Sequence, residues 1–307
     1  MSALACPASL KGVLTAREAA SALAEGFRRG GREADELPLA DGGEGTAEVL
    51  GAVPRETLAV PDAFDRLRKA SVYELPDGTA LIESAEVLPL DPEHLDPIGA
   101  SSAGLAKLLA RVQDDPRLVV CLGGTATMDA GAGMLAEIDR LPPRTMALCD
   151  VRTRFLQAPR TFGPQKGANE ETVAELERRF AEAAEGPVRA YVHLCGSGAA
   201  GGLGAAFALL GAELVAGAPY VLTQLGFRER VRTADLVITG EGRIDATTLR
   251  GKAPLKALQV SRAEGVRCVV FGGRVEVELE GAETVELSGD PASARADLVE
   301  LGERLSG

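Results

Sequence analysis

The chain has no tryptophan, two histidines and few aromatic residues of any kind, 4% in all. That leaves little with which to stack nucleobases along a strand. No run of lysine and arginine interrupts a net charge of -12, so a phosphate backbone would be repelled, and nucleic acid is excluded as a first reading. Five cysteines are present but never as CxxC or at paired spacing. Most lie in apolar runs, where a thiol behaves as a small hydrophobe and implies a reducing compartment. No apolar run approaches the roughly 18 residues of a membrane span, and the N-terminus lacks the charged-then-apolar order of a signal peptide. The expected location is the cytoplasm. GxxxxGK[ST], HExxH and GxSxG are all missing, which removes the P-loop, the zinc protease and the α/β-hydrolase elbow. His94 in a polar loop reads as a surface residue and His193 in an apolar run as a core one.

What the chain does have is glycine, 36 residues of it, together with carboxylates and 46% hydrophobic content over 307 residues. That length exceeds the usual size of one core, so two domains are expected. Apolar, β-branched runs that stop in glycine recur at LVVCLGG (118–124), YVHLCGSG (191–198), LVITGEG (236–242) and CVVFGG (268–273). Continuous apolar strands need cover on both faces, which predicts a parallel α/β architecture. Helices are predicted from Thr15, Ser102, Asn169 and Ala199, the third with an Asn N-cap and acidic residues in its first turn. SVYELPDGTALIE (71–83) predicts a hairpin turning at Asp77–Gly78. VEVELEGAETVEL near the C-terminus predicts one or two half-exposed strands. Motifs far apart in sequence suggest an inserted domain, roughly 60–195, within an outer domain made of 1–59 and 196–307.

Three clusters carry chemistry. LPLADGGEGT (37–46) sets Asp41 and Glu44 into backbone with almost no side chain of its own. CLGGTATMDAGAGML runs from strand towards helix through Gly123, Gly124, Thr125, Thr127 and Asp129. There, backbone amides and threonine hydroxyls can meet phosphate, and the carboxylate can hold Mg²⁺ or a hydroxyl; a tight, Thr-capped βα turn is the plain alternative. ADLVITGEGRIDATTLRGKAP (234–254) crowds Glu241, Arg243, Asp245, Arg250 and Lys252 beyond a strand's carboxyl end, where open α/β sheets place ligands. With Lys166 of FGPQKG (162–167), these supply acids for metal and proton transfer and cations for phosphate, as a phosphotransferase needs. GSGAAGG from Gly196 matches GxGxxG, with Glu213 where the dinucleotide fingerprint wants an acid, and keeps an NAD-binding oxidoreductase open. Close helix packing explains those glycines equally well.

In colinear order, SLKG (9–12), LPLADGGEGT, GGTATMDAGAG (123–133), CDV (149–151), FGPQKGA (162–168), GAAGGLGAA (198–206) and VITGEGRIDATTLRGKAP (237–254) resemble the bacterial glycerate kinases of the two-domain α/β type. The resemblance implies a flavodoxin-like (Rossmann-like) parallel-sheet domain with a second, mixed-sheet restriction-enzyme-like one, and phosphoryl transfer from Mg-ATP to D-glycerate or a similar hydroxy acid. Departures from the family pattern fall at Ala8, Met128, Ala130, Lys107 and Arg152 to Phe155, and the stretch from Leu135 to Met146 looks shortened. A degenerate relative that binds such a ligand without turning it over is therefore a further alternative. On this basis Asp245 is expected to take or orient the hydroxyl proton, with Glu241 and Asp41 on Mg²⁺. Glu44 would support the substrate loop, and Lys11, Arg243 and Lys252 would neutralise carboxylate and phosphoryl. Gly123, Gly124, Thr125, Thr127, Asp129 and Lys166 would hold ATP phosphates. Partners are expected to be small molecules, with no nucleic acid and no membrane; a homo-oligomer stays open.

Overall fold

The computed structural model describes residues 2–246 and 248–307, and the chain divides into two compact units. Unit 1 comprises residues 1–41, 48–50 and 218–307; unit 2 comprises 42–47 and 51–217. The expected boundaries at 59/60 and 195/196 therefore differ from the observed division. Residues 196–217 belong with unit 2 because their strand pairs there, Met146 opposite Glu213 and Cys149 opposite Ala216.

The described residues form eleven strands, with helices between most of them: β1 Ala3–Pro7, β2 Ala34–Glu36, β3 Val53–Pro61, β4 Leu67–Glu74, β5 Ala80–Glu83, β6 Arg117–Cys121, β7 Arg144–Cys149, β8 Glu213–Ala216, β9 Leu236–Ile244, β10 Arg267–Val275 and β11 Glu283–Glu286. Unit 1 is a five-stranded sheet in the order β11-β10-β9-β1-β2, every pairing parallel. Its central strands β1, β9 and β10 are apolar on both faces, as a covered parallel sheet requires. Ala3, Ala5, Ile238 and Phe271 pack on one side with Leu23, Phe27 and Leu298, while Leu4, Cys6, Val237 and Val270 pack on the other with Ala257 and Phe227.

The first side is closed by helices Ala16–Arg29 and Ala294–Ser306, whose backbones approach so closely that a Cβ on Gly26 would lie 2.0 Å from the Val299 carbonyl oxygen. The former begins at a capping box. The Glu18 amide donates to Thr15 Oγ1 at 3.2 Å, and the Thr15 amide donates to Glu18 Oε2 at 2.8 Å, so two otherwise orphaned donors are satisfied.

Unit 2 is a six-stranded mixed sheet in the order β3-β4-β5-β6-β7-β8, antiparallel from β3 to β5 and parallel from β5 to β8. The predicted hairpin is the β4–β5 turn: Gly78 takes φ +78, its amide donates to the Leu75 carbonyl, and Asp77 Oδ1 accepts from the Thr79 amide. The predicted helix from Asn169 is Glu170–Ala184, with the Asn169 side chain accepting from the Thr172 amide at 2.8 Å. The predicted C-terminal strand is β11, mostly exposed at the edge of the unit 1 sheet.

One predicted strand is a different structure. Residues 191–198 form turns after a short 3₁₀ segment, Pro187–Ala190. Their apolar Tyr191 and Val192 pack against the cluster of Phe155, Leu176 and Phe180 instead of entering a sheet. His193 is consequently exposed on a turn, not buried in a strand, whereas His94 is exposed as expected and faces Asp91 at 2.9 Å. Cys195 is exposed and the other four cysteines are buried. Among the described residues, no helix is long and apolar enough to cross a membrane.

Candidate functional site

In unit 1, Glu241 lies towards the carboxyl end of strand β9 and is buried. Thr248 donates its hydroxyl to Glu241 Oε1 at 2.8 Å, and Lys252 Nζ lies 3.2 Å from Oε2. Burial pushes the Glu241 carboxyl above its ordinary range; Lys252 and Thr248 pull it back, and the neighbouring charge of Asp41 pushes it up again. The net direction is upward because burial outweighs the pull of Lys252 and Thr248. Thr248 also ties the next turn, accepting from the Asp245 amide at 3.1 Å while its own amide points at Asp245 Oδ1 at 3.4 Å. One hydroxyl thus fixes Glu241 and Asp245 together.

Lys252 is the N-cap residue of helix Ala253–Ala263, and Pro254 in the first turn supplies a preset φ and no superfluous donor. Arg243 is exposed and paired with Glu276, with Nε 3.0 Å from Oε1. The side chain of Arg250, grouped with this cluster in the sequence, lies outside the described residues. Lys11, Glu241, Arg243 and Lys252 all line one cavity of about 320 Å³ at the carboxyl end of the sheet, where the topology of open parallel sheets places ligands.

In unit 2, two glycine motifs from distant parts of the chain meet. A Cβ on Gly123 would lie 2.8 Å from Gly43 Cα and 3.0 Å from an Asp150 carboxylate oxygen, and the Gly123 amide faces the Gly42 carbonyl at 3.5 Å. The glycines are there because three backbones and a carboxylate share this space. Gly42, at φ +89, also lies against Leu148 and Gly217, where any side chain would collide. Glu44 is exposed at the tip.

Thr125 is buried and its hydroxyl has no hydrogen-bond partner among the described residues, a cost that natural structures rarely carry without a ligand or water to relieve it. Thr127 is also buried; its hydroxyl reaches the Ala200 carbonyl at 3.4 Å, and its own carbonyl accepts from Lys166 Nζ at 2.8 Å. Lys166 is a buried cation whose pKa burial lowers to about 8, against the opposing pull of Asp150 and Asp129.

Asp129, expected at the ATP phosphates, is held by local donors in this structure. Its Oδ2 accepts from the Ser102 amide and hydroxyl and from the Gly133 amide, and its Oδ1 from the Gly131 amide, at 2.7 to 3.1 Å. Those contacts engage both oxygens. The helix that follows is only Ala132–Glu137, so Gly123 to Thr127 lie on an extended turn well before it, and Asp129 itself organises the helix start.

Glu83 carried no signal in the sequence. At the end of β5 it is buried, and it accepts from the Ala47 amide at 2.6 Å and the Gly45 amide at 3.0 Å, so that the last half of the DGGEGT loop hangs from one carboxylate. Burial raises its pKa to about 7 against the pull of those amides. A hairpin strand ending in an acid is common enough; only the fold brings residue 83 to residue 45.

GSGAAGG fails as a dinucleotide fingerprint because no strand precedes it. Its glycines answer to packing: a Cβ on Gly201 would sit 1.8 Å from the Thr127 carbonyl oxygen, and one on Gly204 2.2 Å from that of Gly196. Glu213 opens the edge strand β8 and is exposed.

A family model described as the glycerate kinase family matches residues 3–141 and 142–292. The chain belongs to this family. It is 34% identical to the glycerate 2-kinase of Escherichia coli K12, with 85% of this chain and 82% of that protein covered. It is also 34% identical to a glycerate kinase of Halalkalibacterium halodurans over 87% of this chain and 84% of that one, and 32% identical to a glycerate kinase of Bacillus subtilis over 90% and 85%. A crystal structure described as a candidate glycerate kinase 2 from Salmonella typhimurium LT2 superposes with a TM-score of 0.79 at 27% identity, covering all of this chain and 97% of that one. The trimmed stretch after Leu135 thus leaves the two-unit α/β fold in place.

Proposed function

We propose that the protein transfers the γ-phosphoryl group of ATP to a hydroxyl of D-glycerate or a closely similar hydroxy acid. The observation that carries this is the Glu241, Thr248 and Lys252 group beside the unit 1 cavity. It unites a buried carboxylate, a neighbouring acid in Asp41, and a cation at the carboxyl end of a parallel sheet. Family membership supplies the reaction class.

The donor set suits Mg²⁺, which prefers one or two carboxylates and takes its remaining ligands from phosphate oxygens and water. Glu241 and Asp41 would hold it, and bound there it would neutralise charge on the transferring group. Among the described residues no group of three or more acids, histidines or cysteines forms a metal cage on its own, as expected for an ion that arrives with its nucleotide. Asp245, on the turn fixed by Thr248, takes the proton of the attacking hydroxyl or orients it.

Lys252 holds Glu241 in place and balances charge as phosphate approaches; Lys11 lines the same cavity and adds a further cation. In unit 2 the Gly123–Thr127 turn, with the partnerless Thr125 hydroxyl and buried Lys166 behind it, suits an anionic group of the substrates. Glu44, exposed on the loop that Glu83 holds, would contact a small polar substrate. Asp129 we assign to the turn itself.

The test is ADP release, measured by a coupled assay with Mg-ATP and D-glycerate, tartronate and related acids. Turnover with one of these acids is the expected result. Protection by NAD(H) and none by Mg-ATP would overturn the proposal, and binding of acid or nucleotide without release of ADP would make the chain a degenerate relative.

A further inference from the structure

Within residues 42–47 only Glu44 is exposed, and the backbone on both sides of it is pinned. Before it, the Gly43 carbonyl accepts from the Thr46 hydroxyl at 2.7 Å, and Thr46 is fully buried. After it, Glu83 accepts from the Gly45 amide through Oε2 at 3.0 Å and from the Ala47 amide through Oε1 at 2.6 Å. Each amide belongs to a rigid peptide plane, so one carboxylate orients both the Glu44–Gly45 and the Thr46–Ala47 peptides. Gly45 takes φ +84 and has no side chain with which to hold that turn itself. The backbone from which Glu44 projects is therefore set by residue 83.

Stability alone does not call for an acid at this position. Glu83 is buried at the end of β5, opposite Cys121 on β6. The charges acting on it are those of Glu86, on the short helix Ser84–Val87, and of Glu44 itself. Both repel its anion. Glu86 is in turn engaged by the Tyr73 hydroxyl from β4 and by the Ser71 amide at 2.8 Å, so neither it nor Tyr73 brings a compensating positive charge. Burial and the two acids hold the Glu83 pKa up at about 7 against the pull of the amides. A carboxylate accepts strongly through both oxygens, whereas a carboxylic acid keeps one good acceptor and turns its other oxygen into a donor. Protonation therefore loosens one of the two amides near neutral pH.

We propose that Glu83 is a positioning residue for the acceptor acid: by holding the Gly45 and Ala47 amides it sets the loop that presents Glu44 to the substrate. The inference rests on the kinase reading for the identity of that substrate. Glu83 acts through the loop and not on the reacting atoms. The carboxylate form makes the hold, so the hold is complete above about pH 7 and weakens below it.

Wild type, Glu83→Gln and Glu83→Asp, compared as full chains, test this. Gln removes the ionisation and leaves one good acceptor; Asp keeps the charge but, one methylene shorter, cannot span both amides. In the coupled assay, kcat/KM of wild type for D-glycerate should fall about tenfold from pH 8 to pH 6, and E83Q should lose that fall. At pH 8 both variants should raise KM for D-glycerate about tenfold or more, with KM for Mg-ATP unchanged. The inference is overturned by E83Q that keeps the wild-type pH profile. It is equally overturned by a wild-type KM for D-glycerate in both variants, even where they melt earlier, which is the behaviour of a purely structural staple. Hydrogen exchange at the Gly45 and Ala47 amides of wild type needs neither a variant nor turnover. Protection, corrected for the intrinsic rate, should rise between pH 6 and pH 8; protection that does not change with pH overturns the inference as well. Rising protection in a chain that releases no ADP with any acid leaves the hold of Glu83 on the loop standing and removes the kinase reading.

Discussion

Replacing Glu83 by Gln isolates the carboxylate from which the DGGEGT loop hangs. Burial raises the Glu83 pKa from 4.5 to about 7, so between these values the folded protein holds a proton that the unfolded chain has released. Wherever the folded state binds more protons, stability falls as pH rises. The contribution of Glu83 is therefore most favourable below pH 4.5 and is lost progressively up to pH 7, for a total of about 3 kcal/mol.

Gln cannot titrate, and its single oxygen can satisfy only one of the Gly45 and Ala47 amides well, which costs about 1–3 kcal/mol at any pH. Urea unfolding of wild type and E83Q at pH 5, 6, 7 and 8 reads both terms. The variant should be the less stable protein at pH 5, and the gap should narrow by about 3 kcal/mol, closing or reversing, by pH 8. A gap that is constant across this range would refute the reasoning, because the ionisation of residue 83 would then be unconnected with the loop.

Asp245→Asn should lower kcat by about 10²–10⁴-fold with an unchanged melting curve; near-normal turnover removes Asp245 from the proton-transfer role. Asp129→Ala should cost about 3 kcal/mol or more of stability, since it strips four hydrogen bonds, three from the Ser102, Gly131 and Gly133 amides and one from the Ser102 hydroxyl. A variant that melts normally but binds nucleotide poorly would return Asp129 to the ligand. Gly201→Ala should be destabilised by about 2 kcal/mol or more in thermal melts, because it combines φ +64 with a Cβ 1.8 Å from the Thr127 carbonyl oxygen. NAD⁺ should protect neither this variant nor wild type.

Where local chemistry decides structure, the sequence was readable. β6, β9 and β10 are apolar runs stopped by glycine, Asp77–Gly78 turns a hairpin, and Asn169 caps its helix. Residues 191–195 read as another such strand, since an apolar run looks the same whether its side chains enter a sheet or lie on a neighbouring helix. The site was legible as a set of motifs, and Glu241 with Lys252 is an internal pair of one of them. Glu83 was invisible because its role is set by amides 36 and 38 residues away. Asp129 shows the opposite case: its position among glycines and threonines resembles a ligand residue, and those same glycines offer it amides at 3.0 and 3.1 Å. Local hydrogen bonds compete with ligands for a carboxylate, and spacing alone does not show which prevails.

The place of β1 in its sheet has a consequence for how the chain acquires its shape. Ala3 pairs on one side with Ala34 and on the other with Leu236, so the central neighbour of the first strand leaves the ribosome only after more than two hundred further residues. The mixed sheet, whose strands all lie between Val53 and Ala216, can assemble in the interval. The parallel sheet must wait for the last third of the chain, which leaves one apolar strand edge open throughout synthesis and makes late closure the slow and aggregation-exposed step of folding.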